Sequence, residues 1–155
     1  MAPLLPEVKN IQNKDPFCVS ETIQDTAAAT AANYGVFFTA SFPCEVMAIA
    51  ESHKTAGTNA GAVTVNVEKL TSGQALDAGI TLLATAFDLK GTINVPVFAP
   101  SSTYAFVIST ARQLDRGHRL ALKDAGTLTA VAHVNVSVFL KPLGKGHYGI
   151  VAQTI

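Results

Sequence analysis

The sequence predicts an all-β protein, a jelly-roll-like β-sandwich with an extended N-terminal arm. Three observations lead there. From Tyr34 onward, about seven or eight short runs rich in β-branched and aromatic residues follow one another between turn residues, with no long helical pattern. Near the C-terminus, TLTAVAHVNVSVFLKP (Thr127 to Pro142) keeps a period of two, well past the usual strand length of about five or six residues. Before Tyr34, Pro3, Pro6 and Pro16 punctuate a stretch that still carries Leu4, Leu5, Val8, Ile11, Phe17, Val19 and Ile23.

The chain divides into an arm (1–33), a β-sandwich (34–142) and a tail (143–155). The arm is too apolar for a disordered tail and too rich in proline for a continuous helix, so it is read as an extended segment that orders against something, either a neighbouring chain or its own domain. YGVFFTASF (34–42) is a strand that stops at Pro43. CEVMAIAES (44–52) is apolar on both faces in its middle, as in a strand covered on two sides. HKTAGTNAG (53–61) is a loop. GAVTVNVEKL (61–70) opposes Val63, Val65 and Val67 to Thr64, Asn66 and Glu68.

SGQALDAGITLLATAFDLKG (72–91) spaces Leu76, Ile80, Leu83 and Phe87 as a helix would. Gly79, Ile80, Thr81 and Thr85 oppose one, so a short helical turn beside a short strand is expected. TINVPVF (92–98) alternates, but Pro96 confines it to an edge or bulge. TYAFVIST (103–110) is another β run. HRLALKD (118–124) and the long stretch flank Asp124-Ala125-Gly126, a turn in which Gly126 can take a positive φ. In the long stretch, the row Leu128, Ala130, Ala132, Val134, Val136, Val138, Leu140 faces the core. A strand of roughly 40 Å overshoots such a core, so it either crosses both ends of the domain or lies in a subunit interface; for the second, Val131 and Phe139, apolar in the otherwise polar row, are the candidate interface residues.

Composition narrows the function. Formal net charge is zero and the eleven Lys and Arg are dispersed, whereas phosphate binding calls for a basic patch, so nucleic acid is not an expected partner. Only 14% of residues are charged, a surface poorly protected against association and suited to cover by a partner. No apolar run of about 18 residues is present, so no membrane partner is expected, and the N-terminus has no secretory pattern. Cys18 and Cys44 lack metal-ligand spacing and read as free thiols.

Candidate chemistry is thin. His53, His118, His133 and His147 form no HxH or HExxH pattern, so a cupin-type metal site has no ligand set. There is no G-x-S-x-G elbow and no phosphate loop; LKGT and LGKGHYG are flexible glycine segments. Eleven scattered acids single out no carboxylate pair, and the absence of Trp weakens a sugar-stacking site. No enzyme activity, metal or cofactor is expected.

DRGHRLALKDAGTLTAVAHVNVSVFLKP (115–142) resembles a segment that recurs in structural proteins of tailed bacteriophages, through Gly117, Arg119, Leu120, Ala121, Leu122, Gly126 and Thr127. SGQALDAGITLLATAFDLKGTIN (72–94) resembles the middle of such proteins. His118 stands where the pattern has an acidic residue. The resemblance implies a head decoration (cement) protein: a virion protein, made in the host bacterial cytoplasm, that clamps major capsid proteins on the outer capsid surface, often as a homotrimer. Leu4, Leu5, Val8, Ile11 and Phe17 would then be the arm's contacts with capsid or subunit. The alternative is a head-fibre or receptor-binding module for a host glycan, which would show an aromatic and polar pocket where a decoration protein shows a broad contact base.

Overall fold

The structure is a computed structural model and describes residues 15–26 and 30–144. In chain order the strands are β1 (Phe17–Thr26), β2 (Val36–Thr39), β3 (Cys44–Ser52), β4 (Val63–Leu70), β5 (Ile80–Thr81), β6 (Phe87–Asp88), β7 (Val97–Ala99), β8 (Gln113–Leu114), β9 (Arg119–Gly126) and β10 (Ala132–Pro142). One antiparallel sheet has the order β1-β10-β3-β7, with β8 also on β3. The other has the order β2-β9-β4-β5, with β6 also on β4. Successive strands alternate between the sheets at both ends of the chain, the two-Greek-key order of a jelly roll.

The core lies between the sheets. Val134, Val136, Val138 and Leu140 of β10 and Val46 and Ile49 of β3 line one side, against Val63, Val65, Val67, Leu120 and Leu122 on the other. The predicted register of β10 therefore holds: the valines are buried, and His133 is exposed.

The domain begins earlier than Tyr34. Residues 17–26, assigned above to the arm, form the first strand of the roll, paired with β10 from Phe17↔Leu140 to Ile23↔Val134. FCVSETIQDT alternates as a strand should, and its inward row of Phe17, Val19 and Ile23 packs on the core. Leu4, Leu5, Val8 and Ile11 lie outside the described residues, as does the tail from residue 145.

The segment 72–91 contains no helix. Its apolar residues serve the second face of β4, which explains why Asn66, Glu68 and Leu70 are buried as well as the valines opposite them. β5 and β6 pair with the two ends of β4. Between them the Asn66 side chain completes the ladder: its Nδ2 donates to Leu83 O at 2.9 Å and its Oδ1 accepts from Leu83 N at 3.1 Å and Val67 N at 2.9 Å. Glu68 accepts from Asp77 N at 2.7 Å and Gly79 N at 2.8 Å. A Cβ on Gly79 would sit 2.5 Å from Lys69 O, so only glycine fits under this loop. TYAFVIST forms no named strand but bonds to the same excursion, Val107 N to Leu82 O at 2.9 Å and Ala84 N to Ala105 O at 2.9 Å.

Gly126 has φ 93°, as expected of the turn residue. It does not close a hairpin, however. β9 runs through Gly126 in one sheet, paired with β4, and the chain then crosses to β10 in the other. In that crossing Val131 N bonds to Leu128 O, and Ala130 and His133 take positive φ. The alternating pattern at residues 128–131 is thus a turn, and the strand proper has 11 residues.

Lys69 ties the sheets together at one end. Its ammonium donates to Thr110 O at 3.0 Å and Gln113 O at 3.1 Å, on the short 3-10 turn Ser109–Arg112 and β8. Burial pushes its pKa down. At this same end Phe17 packs on Phe38 and Phe42, and Leu143 N bonds to Pro43 O. The described chain therefore enters its first strand and leaves its last at one end of the sandwich.

Candidate interaction surface

Most polar groups inside the sandwich are engaged in holding it together, but the buried Nε2 of His53 has no hydrogen-bond partner among the described residues. Glu51 and His53 are both buried and share a 2.9 Å bond between Oε1 and Nδ1; burial raises the Glu51 carboxyl, and the bond to His53 offsets part of that rise. Lys123 approaches Glu68 at 4.0 Å and Asp77 at 3.4 Å. Asp124 accepts Ala31 N at 2.7 Å. His118 Nδ1 accepts Asp115 N at 3.1 Å, and burial lowers its pKa. Among the described residues no three His, Cys, Asp or Glu side chains converge to hold a metal ion. No helix among them is long and apolar enough to cross a membrane.

The surface of the β1-β10-β3-β7 sheet is different. Its register places three rows of side chains on the side away from the core: Cys18–Phe139–Ala48, Ser20–Ser137–Ala50–Phe98, and Thr22–Asn135–Ser52. None of these ten residues carries a formal charge at neutral pH. The polar row is internally satisfied: Asn135 Nδ2 donates to Thr22 Oγ1 at 2.8 Å, and Ser137 Oγ to Asn135 Oδ1 at 2.9 Å. A register shift beside Phe139 turns Met47 outward too, 43% exposed, and Phe98 is 54% exposed. The charged groups gather at the sheet's end, where Arg112 meets Glu45 at 3.1 Å.

Both edges of this sheet are guarded. β7 has three residues between Pro96 and Pro100, and proline has no N–H for a ladder. On β1, Glu21 pairs with Val136 in the inward row, and burial raises its carboxyl. An inward charge on an edge strand penalises the addition of a further strand. What this sheet offers a partner is therefore its face.

Of the sequence-predicted site residues, Phe139 lies on that face, between Cys18 and Ala48. Val131 does not: at 0% exposure it is a core residue, because the turn at Leu128 swings it inward. Phe17, at the start of the first strand, sits in the aromatic cluster with Phe38 and Phe42. Met47 and Phe98 were not singled out from the sequence. The alternation of TINVPVF was the available signal for Phe98, and the bulge that turns Met47 out leaves none.

Comparisons with known proteins agree on architecture. No protein-family model matches the chain, and no curated protein matches it. A chain in the capsid of Ralstonia phage GP4 superposes with a TM-score of 0.57 at 15% identity, over 93% of this chain and 92% of that one. This chain shares its fold with phage capsid chains. A chain of the cyanophage Pam1 capsid asymmetric unit matches with a TM-score of 0.50 at 16% identity, over 83% of this chain and 86% of that one.

Proposed function

We propose that this chain is a non-enzymatic structural protein of a phage virion, and specifically a decoration (cement) protein that binds the outer surface of the capsid as a homotrimer. The observation that carries this reading is the broad, uncharged four-strand face of the first sheet, with Phe139, Met47 and Phe98 standing on a floor of alanine and serine. Such a surface is a contact base: it offers area without the charges that would make its burial costly. That the fold recurs in chains of two phage capsids supports the virion setting.

The mechanism is linkage. A protein that binds only the assembled lattice stabilises it by RT ln(1 + [L]/Kd), about 2.7 kcal/mol per site at a hundredfold excess over Kd. A trimer turns three weak contacts with major capsid proteins into one strong attachment through effective concentration. The arm residues Leu4, Leu5, Val8 and Ile11 add apolar area at a neighbouring chain, at roughly 25 cal/mol per Å² buried. The test is binding to purified phage heads. The full chain should co-sediment with heads and raise the temperature at which they release DNA. Heads that neither bind the protein nor gain heat resistance from it would refute the reading.

A further inference from the structure

We propose that the outer face of the β1-β10-β3-β7 sheet is the seat for residues 1–14 of a second copy of this chain, so that each copy's arm lies across the face of its neighbour. This deepens the arm reading above and rests on it. It names the surface that receives the arm.

Four features of the molecule point there. The face is chemically matched to the segment. MAPLLPEVKNIQNK carries large apolar side chains at residues 1, 4, 5, 8 and 11 and only Glu7, Lys9 and Lys14 as charged side chains. The floor of Ala48, Ala50, Ser20 and Ser137 between Phe139, Met47 and Phe98 is shallow and uncharged. The mode of docking also fits. Pro3 and Pro6 remove two N–H donors, so the segment is a poor ladder strand. The sheet in turn guards both edges and leaves only its face.

The surface chemistry favours copy-to-copy contact. Formal net charge is zero, so like copies do not repel. Last, the segment is long enough to leave its own sheet. From β1 to β7 the face is three strand spacings wide, roughly 14 Å, while 14 residues span up to about 46 Å. Leu5 and Leu4, ten and eleven residues before Asp15, can sit roughly 33 to 36 Å from it. That reach is enough to arrive at an adjacent copy.

The face carries its own reporter. Cys18 is exposed in the row with Phe139, whereas Cys44 is buried, its thiol pushed up to about 11. The experiment mixes two full-length proteins, the unaltered chain and the double variant Val8→Cys, Cys18→Ser, under oxidised glutathione. Every bond between residues 8 and 18 in that mixture joins two copies. The expected result is a disulfide-linked dimer that forms roughly 10²-fold faster than random collision allows, because docking raises the local thiol concentration. The collision rate is measured with Ser72→Cys, Cys18→Ser in place of the unaltered chain, since Ser72 is exposed on the loop covering the other sheet.

Dimer formation at the collision rate overturns the proposal. So does a Val8→Cys protein, with Cys18 present, that closes an internal bond and stays monomeric. Head co-sedimentation of the unoxidised proteins is measured in parallel. Binding without the cross-link removes this inference and leaves the decoration role standing. Cross-linking without binding does the reverse.

Discussion

Replacing Asn66 with Ala tests how the long excursion between β4 and β7 is held. Asn66 is 6% exposed and its amide makes three hydrogen bonds, two to Leu83 and one to Val67 N. Truncation leaves the buried Leu83 N–H, Leu83 C=O and Val67 N–H without partners. An unmatched buried polar group costs about 1–3 kcal/mol. Ala84 and Thr85 next to the site are exposed, so water can reach part of the gap. Taking the low end for each group gives a loss of about 3 kcal/mol. Urea unfolding followed by circular dichroism reads the change in midpoint at constant slope. Amide exchange at Leu83 should accelerate beyond the global loss, because the bond that protects it is gone. A variant within about 0.5 kcal/mol of the parent, with Leu83 still protected, would show that Asn66 does not substitute for the interrupted ladder.

Other outcomes are equally concrete. Val136→Ala, in the fully buried row of β10, should cost on the order of 1 to 3 kcal/mol by urea denaturation, and Ser137→Ala beside it almost nothing. The folded-state carboxyl of Glu51 lies above its usual value of 4.5 because of burial. The folded chain therefore holds this proton longer than the unfolded chain, and the group's contribution falls as pH rises above 4.5. Glu51→Gln removes that slope, so its urea midpoint relative to the parent should climb from pH 4 to pH 7. Serine at Leu4, Leu5, Val8 and Ile11 together should leave the dichroism spectrum and melting temperature unchanged while abolishing sedimentation with heads. Light scattering of the full chain should give about three times the chain mass if trimers form before attachment.

The strands that were legible in the sequence are those whose alternation is set by one core. β10 shows burial on every second residue over most of its length, and its row of valines announces it; β3 was read as covered on both faces, whereas only its inward row is buried and Met47 stands 43% exposed on the other. β1 was missed because Glu21 interrupts its apolar row and because the prolines before it suggested one continuous arm. A pattern of apolar spacing cannot show that a strand follows Pro16. The excursion 72–91 misled in a different way. Leu76, Ile80, Leu83 and Phe87 match a helical period, yet Ile80 is 52% exposed and only Leu83 and Phe87 reach the core. What fixes this segment is long-range: Asn66 and Glu68, buried on the far side of β4, supply the bonds. Phe139 was readable on the candidate face because it broke a polar row. Val131 broke the same row for another reason, a turn that no period-two reading contains. The face as a whole was not readable, since Cys18, Ala48 and Phe98 become neighbours only through strand pairing.

The placement of the first and last described strands has a practical consequence for grafting a peptide onto this protein. Phe17 pairs with Leu140, and Leu143 is bonded to Pro43, so the described chain enters and leaves the sandwich at one end. A cargo fused at the N-terminus would be carried on the segment proposed to reach a neighbour. The opposite end offers a better graft point. Residues 58–62 form an exposed connection between β3 and β4, at the end of the sandwich away from that entry and exit. A peptide inserted at Asn59-Ala60 would project from the far end of each copy and leave the arm, the sheet face and both termini free.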